Sequence, residues 1–110
     1  MHQTKILDIE NLQVTQPDLK KETLEFLAEN SIDSLPEVWN IQGDYVIADG
    51  HHRIRTALEK GYKKIMVLYH SSRKMSIGKA AYEYLVGEIK ERAEACRKNK
   101  ILRVSQMRVL

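Results

Sequence analysis

An α+β fold, a small mixed sheet with helices packed against it plus a long C-terminal helix, is what the order of apolar patterns in this chain predicts. Val38, Trp39 and Ile41, then Tyr45 to Ala48, flank Gly43-Asp44 and read as a β-hairpin over residues 37 to 48. Ile65-Met66-Val67-Leu68-Tyr69 is a nearly continuous apolar run of strand length that follows a helix-period segment, so a parallel return with its crossover helix is available. From Ser76, a natural cap, the residues Ile77, Ala80, Ala81, Tyr84, Leu85, Ile89, Ala93 and Cys96 form one stripe. Lys79, Glu83, Glu88, Lys90, Glu91 and Glu94 occupy its outer face, which predicts an amphipathic helix of about six turns.

The remaining elements follow in order. Ile6-Leu7-Asp8-Ile9 suits a first strand, and Asn11 to Gln16 an irregular link. Pro17 suits a helix start because its missing N–H would be unpaired in the first turn anyway. Leu19, Leu24, Phe26 and Leu27 place one helical face between Asp18 and a stop at Asn30. Ser34, Leu35 and Pro36 mark a bend. Ile54, Ala57 and Leu58 set a second helix from His51 to Lys60, ended by Gly61. The tail, Lys100 to Leu110, is too apolar for a solvated tag, so it either packs back on the core or meets a partner.

With 110 residues the chain is expected to form one domain: a core over 1–72 and a C-terminal helical extension over 73–110 packed on it. Charged residues at 30% and hydrophobic residues at 43% match a globular protein and argue against disorder. A net charge of +3 does not by itself predict nucleic-acid binding, although Arg53, Arg55, Lys60, Lys63 and Lys64 cluster, as do Arg97, Lys98, Lys100, Arg103 and Arg108. The single cysteine, Cys96, excludes an intramolecular disulfide and a multi-cysteine metal site. No apolar run reaches the ~20 residues that span a bilayer, and the N-terminus lacks signal-peptide order; a cytoplasmic protein without membrane contact is the expectation.

The stretch built for chemistry is Ile47-Ala48-Asp49-Gly50-His51-His52-Arg53-Ile54-Arg55, where a strand gives way to a helix. Helix N-termini carry unpaired N–H groups and partial positive charge, and a glycine there admits a ligand's oxygens to the backbone. Gly50, His51, His52 and Arg53 are therefore candidate phosphate ligands, with Arg53 offering a planar fork and Arg55 widening the positive field. If Ile54, Ala57 and Leu58 face the core, His51 and Arg53 fall at the edges of that face and His52 points away. Asp49 would repel a phosphate unless it holds magnesium, binds a hydroxyl or takes up a proton; the plainer reading makes it a helix cap. Trp39 and Tyr45 could stack a base, though aromatic pairs across a hairpin also serve packing alone. His2 and His70 have no partners that spacing supplies, and adjacent His51 and His52 diverge too far to share a zinc ion.

From Ile6 to Tyr69 the chain resembles the ParB/sulfiredoxin superfamily. The resemblance rests on Tyr45 to Arg53, followed by Ala57-Leu58, Gly61 and the strand from Ile65, with Gln16-Pro17 and the upstream helix in matching places. It implies a strand-to-helix motif that binds nucleotide phosphates. For a nucleotide-dependent enzyme the candidates are Asp49 and His51 as catalytic residues, with a nucleoside di- or triphosphate as cofactor, magnesium on Asp49, and Thr15, Gln16 and Arg55 in the nucleotide or substrate pocket. The branches differ. Sulfiredoxins hold a nucleophilic cysteine where His51 stands. ParB proteins usually have a Glu-Arg-Arg run after the glycine, an arginine where Asp18 stands, and a following helix-turn-helix domain, for which the 110 residues here are expected to leave no room. Asp-Gly-His-His-Arg is similar to the branch containing free-serine kinases, whose acidic loop residue has no counterpart in Leu12 to Pro17; Glu10 is out of register.

Three functions are consistent with these residues. One is a nucleotide-dependent phosphotransferase or phosphohydrolase working by positioning and charge stabilisation. A second is a nucleotide-sensing or DNA-associated module, a ParB-like nuclease lying between the two. The third is a degenerate scaffold that forms a homodimer through the long helix and apolar tail.

Overall fold

The computed structural model describes residues 3–30, 34–71 and 78–110; the expected Ser76 cap, Ile77 and His2 lie outside them. Its strands are β1 (Gln3–Asp8), β2 (Asp18–Leu19), β3 (Glu37–Ile41), β4 (Asp44–Asp49), β5 (Lys64–Ser71) and β6 (Arg108–Val109). The helices are α1 (Lys21–Glu29), α2 (His51–Glu59) and α3 (Lys79–Lys98), with 3-10 turns at Ile9–Asn11 and Val104–Gln106. The architecture is α+β.

The main sheet has the order β1-β5-β3-β4 and is mixed: β1 and β4 pair antiparallel with β5 and β3, while β3 and β5 run parallel. Strand β5 therefore runs antiparallel to β4, so the parallel return expected after α2 does not form; β5 instead inserts between β1 and β3 and runs parallel to β3. The hairpin turn falls on Gln42-Gly43, one residue before the expected Gly43-Asp44, because both residues take positive φ (54° and 92°) and let Ile41 oppose Asp44. Two successive left-handed residues match the twist of the flanking strands.

The free edge of β4 is covered by the link after β1. Gln13 N–H donates to Tyr45 O (2.8 Å) and Ile47 N–H to Gln13 O (2.9 Å). Leu12 and Val14 are fully buried, so this expected irregular link is a core segment. Successive strand residues face opposite sides. Leu7, Val38, Ile47 and Val67 join Leu12, Leu24, Ile54, Cys96 and the tail in the larger core, and Trp39, Ile41 and Val46 meet Ile89 and Ala93 of α3 in a smaller one.

Three expectations are corrected. Helix α1 begins at Lys21, not after Pro17, because Asp18-Leu19 pairs in parallel with Arg108-Val109 and Pro17 O accepts the Arg108 N–H at 2.9 Å. Phe26 is exposed, and Leu24 and Leu27 carry the buried face. On α3 the packed face runs through Tyr82, Val86, Ile89 and Ala93, whereas Tyr84 and Leu85 of the expected stripe are exposed.

The tail packs back: Ile101, Val104 and Met107 are buried in the larger core, leaving Val109 and Leu110 exposed. Among the described residues no helix is long and apolar enough to cross a membrane.

Candidate nucleotide site

Strand β4 ends at Asp49, and Gly50, at φ 93°, turns the chain into α2. A glycine is required for two reasons. The left-handed conformation disfavours a Cβ, and a Cβ built there would sit 2.7 Å from Pro36 Cβ and 2.9 Å from Pro36 Cα. The side of Gly50 expected to admit ligand oxygens is therefore filled by Pro36. Arg53 Nη2 lies 3.0 Å from the same Cβ position, and no side chain among the described residues accepts the amides of His51, His52 and Arg53.

His51 is buried, 4% exposed, and looks back across the chain. Its Nε2 accepts the Thr15 backbone N–H at 3.0 Å, while Thr15 Oγ1 donates to Ile47 O at 2.7 Å. The remaining ring proton of neutral His51 therefore sits on Nδ1. Burial, reinforced by the neighbouring His52 and opposed by Asp49, lowers its pKa from 6.5 to about 4. The ring is neutral at pH 7 and pins the Leu12–Thr15 segment to α2.

His52 does not point away into solvent as its position on the helix suggested. Its Nε2 accepts the Lys20 backbone N–H at 2.9 Å, tying the start of α1 to α2. Partial burial, then the Lys20 charge, lowers its pKa too.

Arg53 spans the mouth of the helix. Its Nη1 donates to Ser34 O and Oγ (both 2.6 Å), and Nη2 to Asp49 Oδ2 at 3.3 Å. Asp49 thus holds a guanidinium instead of capping α2, and its side chain is 73% exposed against 19% for Arg53. Among the described residues no cluster of three His, Cys, Asp or Glu side chains could hold a metal ion. A magnesium ion carried by a polyphosphate needs only one or two protein carboxylates, and the exposed Asp49 is suited to that.

Gln16 and Arg55 are brought near this region but are spent elsewhere. Gln16 Nε2 donates to Asp18 O at 2.9 Å. Arg55 Nη1 donates to Val104 O (3.0 Å) and Met107 O (3.1 Å), and its Nε to Glu59 at 2.9 Å, so it clamps the tail. Trp39 and Tyr45 lie on opposite faces of the hairpin: Trp39 stacks on His70 and Tyr82, and Tyr45 tilts against Tyr69. They do not form one base-stacking pair, because their register neighbours are Val46 and Asn40. His70, expected to lack a partner, meets both Trp39 and, at 3.7 Å, Glu37. Sequence reasoning missed Ser34, Pro36 and Lys20, each of which touches the motif from a segment with no motif signal of its own.

No protein-family model and no curated protein matches the chain. Among solved structures, protein Atu1540 from Agrobacterium tumefaciens superposes with a TM-score of 0.55 at 14% identity, over 80% of this chain and 48% of its own. The C-terminally truncated chromosome-partitioning protein ParB from Caulobacter crescentus, complexed with CTP-γ-S, superposes with a TM-score of 0.51 at 21% identity, over 84% and 53%. The chain has a ParB/sulfiredoxin-like fold. It spans about half the length of either structure. Within the ParB/sulfiredoxin-like fold, Asp49 to Arg53 is the stretch where the sheet hands over to a helix N-terminus.

Proposed function

We propose that this chain is a nucleotide-binding module whose phosphate site is the N-terminus of α2. The observation that carries the reading is the first turn after Gly50: its amides meet no acceptor among the described side chains, and the Arg53 guanidinium lies 3.0 Å from where a Cβ on Gly50 would stand, at the head of that turn. Unpaired amides, the helix dipole and a neighbouring arginine together favour a phosphate. The likeness in fold to a ParB complexed with a CTP analogue supports the same reading. Asp49 would hold the magnesium that accompanies the phosphates, and entering phosphate oxygens would compete with Asp49 and Ser34 for Arg53.

Binding without turnover is favoured over phosphotransfer or hydrolysis by the state of the two imidazoles. Both spend Nε2 on backbone amides of other segments, which suits rings that hold the site together and leaves His51 without a free basic nitrogen. In a phosphotransferase, Asp49 with magnesium and the His51 Nδ1 proton would have to act by orientation and charge stabilisation. A DNA phosphate at the same mouth is the corresponding reading for a nuclease, and a steep salt dependence of binding would mark it.

Calorimetry with ATP, ADP, CTP and GTP, with and without magnesium, tests the proposal. At least one should bind, and Arg53→Ala should weaken it about tenfold or more, the loss expected for a charge-assisted bond. Arg53→Lys should restore only part, because lysine lacks the fork. Absence of binding across the panel would refute the phosphate site. Phosphate release during the same incubation would favour turnover.

A further inference from the structure

A cleft of about 340 Å³ runs from Arg53 along α2, between that helix, the end of α1 and the start of β5. Its volume lies in the range of small-molecule sites. Leu27, Leu35, Pro36, Ile65 and Met66 supply its apolar lining, and Tyr62, 62% exposed, stands at its edge. Its charged lining is cationic only: Arg53 at one end and Lys60 at the other, with no acidic side chain among the described residues that line it. Lys60 makes no ion pair among the described residues. Lys60, the residue just past the end of α2, is seven positions from Arg53, about 10 Å along the helix axis. An apolar groove with a basic rim, joined at Arg53 to a phosphate site, is complementary to a ligand that carries anionic phosphates at the Arg53 end and a flat ring bearing hydrogen-bond acceptors at the Lys60 end.

We infer that this groove takes the nucleoside half of the nucleotide, with the base against Tyr62 and the phosphates reaching back to Arg53. The inference rests on the phosphate reading given above. Under it, Tyr62 and Lys60 are binding residues that the Asp49–Arg53 motif does not contain. Stacking on an aromatic ring tolerates any base, so Tyr62 governs how tightly nucleosides are held, and bare polyphosphate is excluded from that gain.

The test compares inorganic tripolyphosphate with ATP, CTP and GTP on the full chain, using Tyr62→Ala and Lys60→Glu alongside the parent protein. Neither side chain makes a hydrogen bond or ion pair with the described residues, and Tyr62 is largely exposed, so both variants should fold; equal melting temperatures check this. The best nucleotide should bind at least tenfold tighter than tripolyphosphate. Tyr62→Ala should weaken that nucleotide about tenfold and leave tripolyphosphate unchanged; Lys60→Glu should also weaken it. Equal binding of nucleotides and tripolyphosphate would overturn the groove while sparing the phosphate site. Tighter nucleotide binding that neither variant disturbs would put the base elsewhere and overturn it as well. Failure of every probe to bind, tripolyphosphate included, would overturn both readings.

Discussion

At the scale of single residues, the motif is organised by hydrogen bonds that reach far along the chain. His51 shows this best, because its ring is buried, neutral and used as an acceptor by Thr15. Its folded-state pKa lies below its unfolded value, so the unfolded chain binds the proton first as pH falls. The stability tied to His51 is whole above pH 6.5 and is lost as pH falls toward about 4, where the folded ring protonates too. The loss across that window is about 3 kcal/mol. His52 shifts in the same direction and adds to it. Urea unfolding of the parent and His51→Gln at pH 7.5, 6.0 and 4.5 checks the prediction. Glutamine keeps an acceptor for Thr15 but cannot take the proton, so the variant's stability should fall less steeply. Parallel curves would show that His51 is not held neutral by burial. The residue types of this motif were legible in the sequence, since Asp-Gly followed by two histidines and an arginine at a strand end is a local pattern. Their partners were not: nothing local to Ser34, Pro36 or Lys20 says that it touches Arg53, Gly50 or His52.

Among the elements, those with a strong period were legible and those made by pairing were not. The hairpin, α2 and β5 follow apolar spacing closely, as does the existence of α3. Helix α1 starts late because two residues that fit its first turn are captured by β6 from the other end of the chain. The packed face of α3 differs from the expected one because the sheet covers only the Tyr82–Val86–Ile89–Ala93 side. Arg55 joins elements in the same nonlocal way, holding the tail through the Val104 and Met107 carbonyls. Arg55→Met keeps the apolar stem and removes those bonds. It should cost about 1.5–3 kcal/mol, as expected for hydrogen bonds from a charged donor. Amide exchange in residues 104–110 should quicken more than exchange in β3 and β4. Unchanged exchange in that tail would mean that β2 and the core hold it without Arg55.

For the whole molecule, the C-terminal tail is part of the core. Ile101, Val104 and Met107 lie in the larger apolar cluster with Leu12, Val14 and Ile54, and Val14 N–H donates to Leu102 O at 3.0 Å. Removing residues 100–110 deletes three buried side chains, together worth about 5–9 kcal/mol. That is comparable with the entire stability of a domain this size. The shortened chain should show no cooperative thermal transition by circular dichroism, and a sharp transition near that of the parent would contradict this placement of the tail. The sequence alone determined an α+β chain with a helix N-terminus after Gly50, because helix and strand periods and turn residues are written in neighbouring positions. Only the tertiary structure decided which polar groups of that motif are already spent and where the tail goes. Thr15 meets His51 across 36 positions and Arg55 meets Val104 across 49, and local spacing carries no information about such contacts.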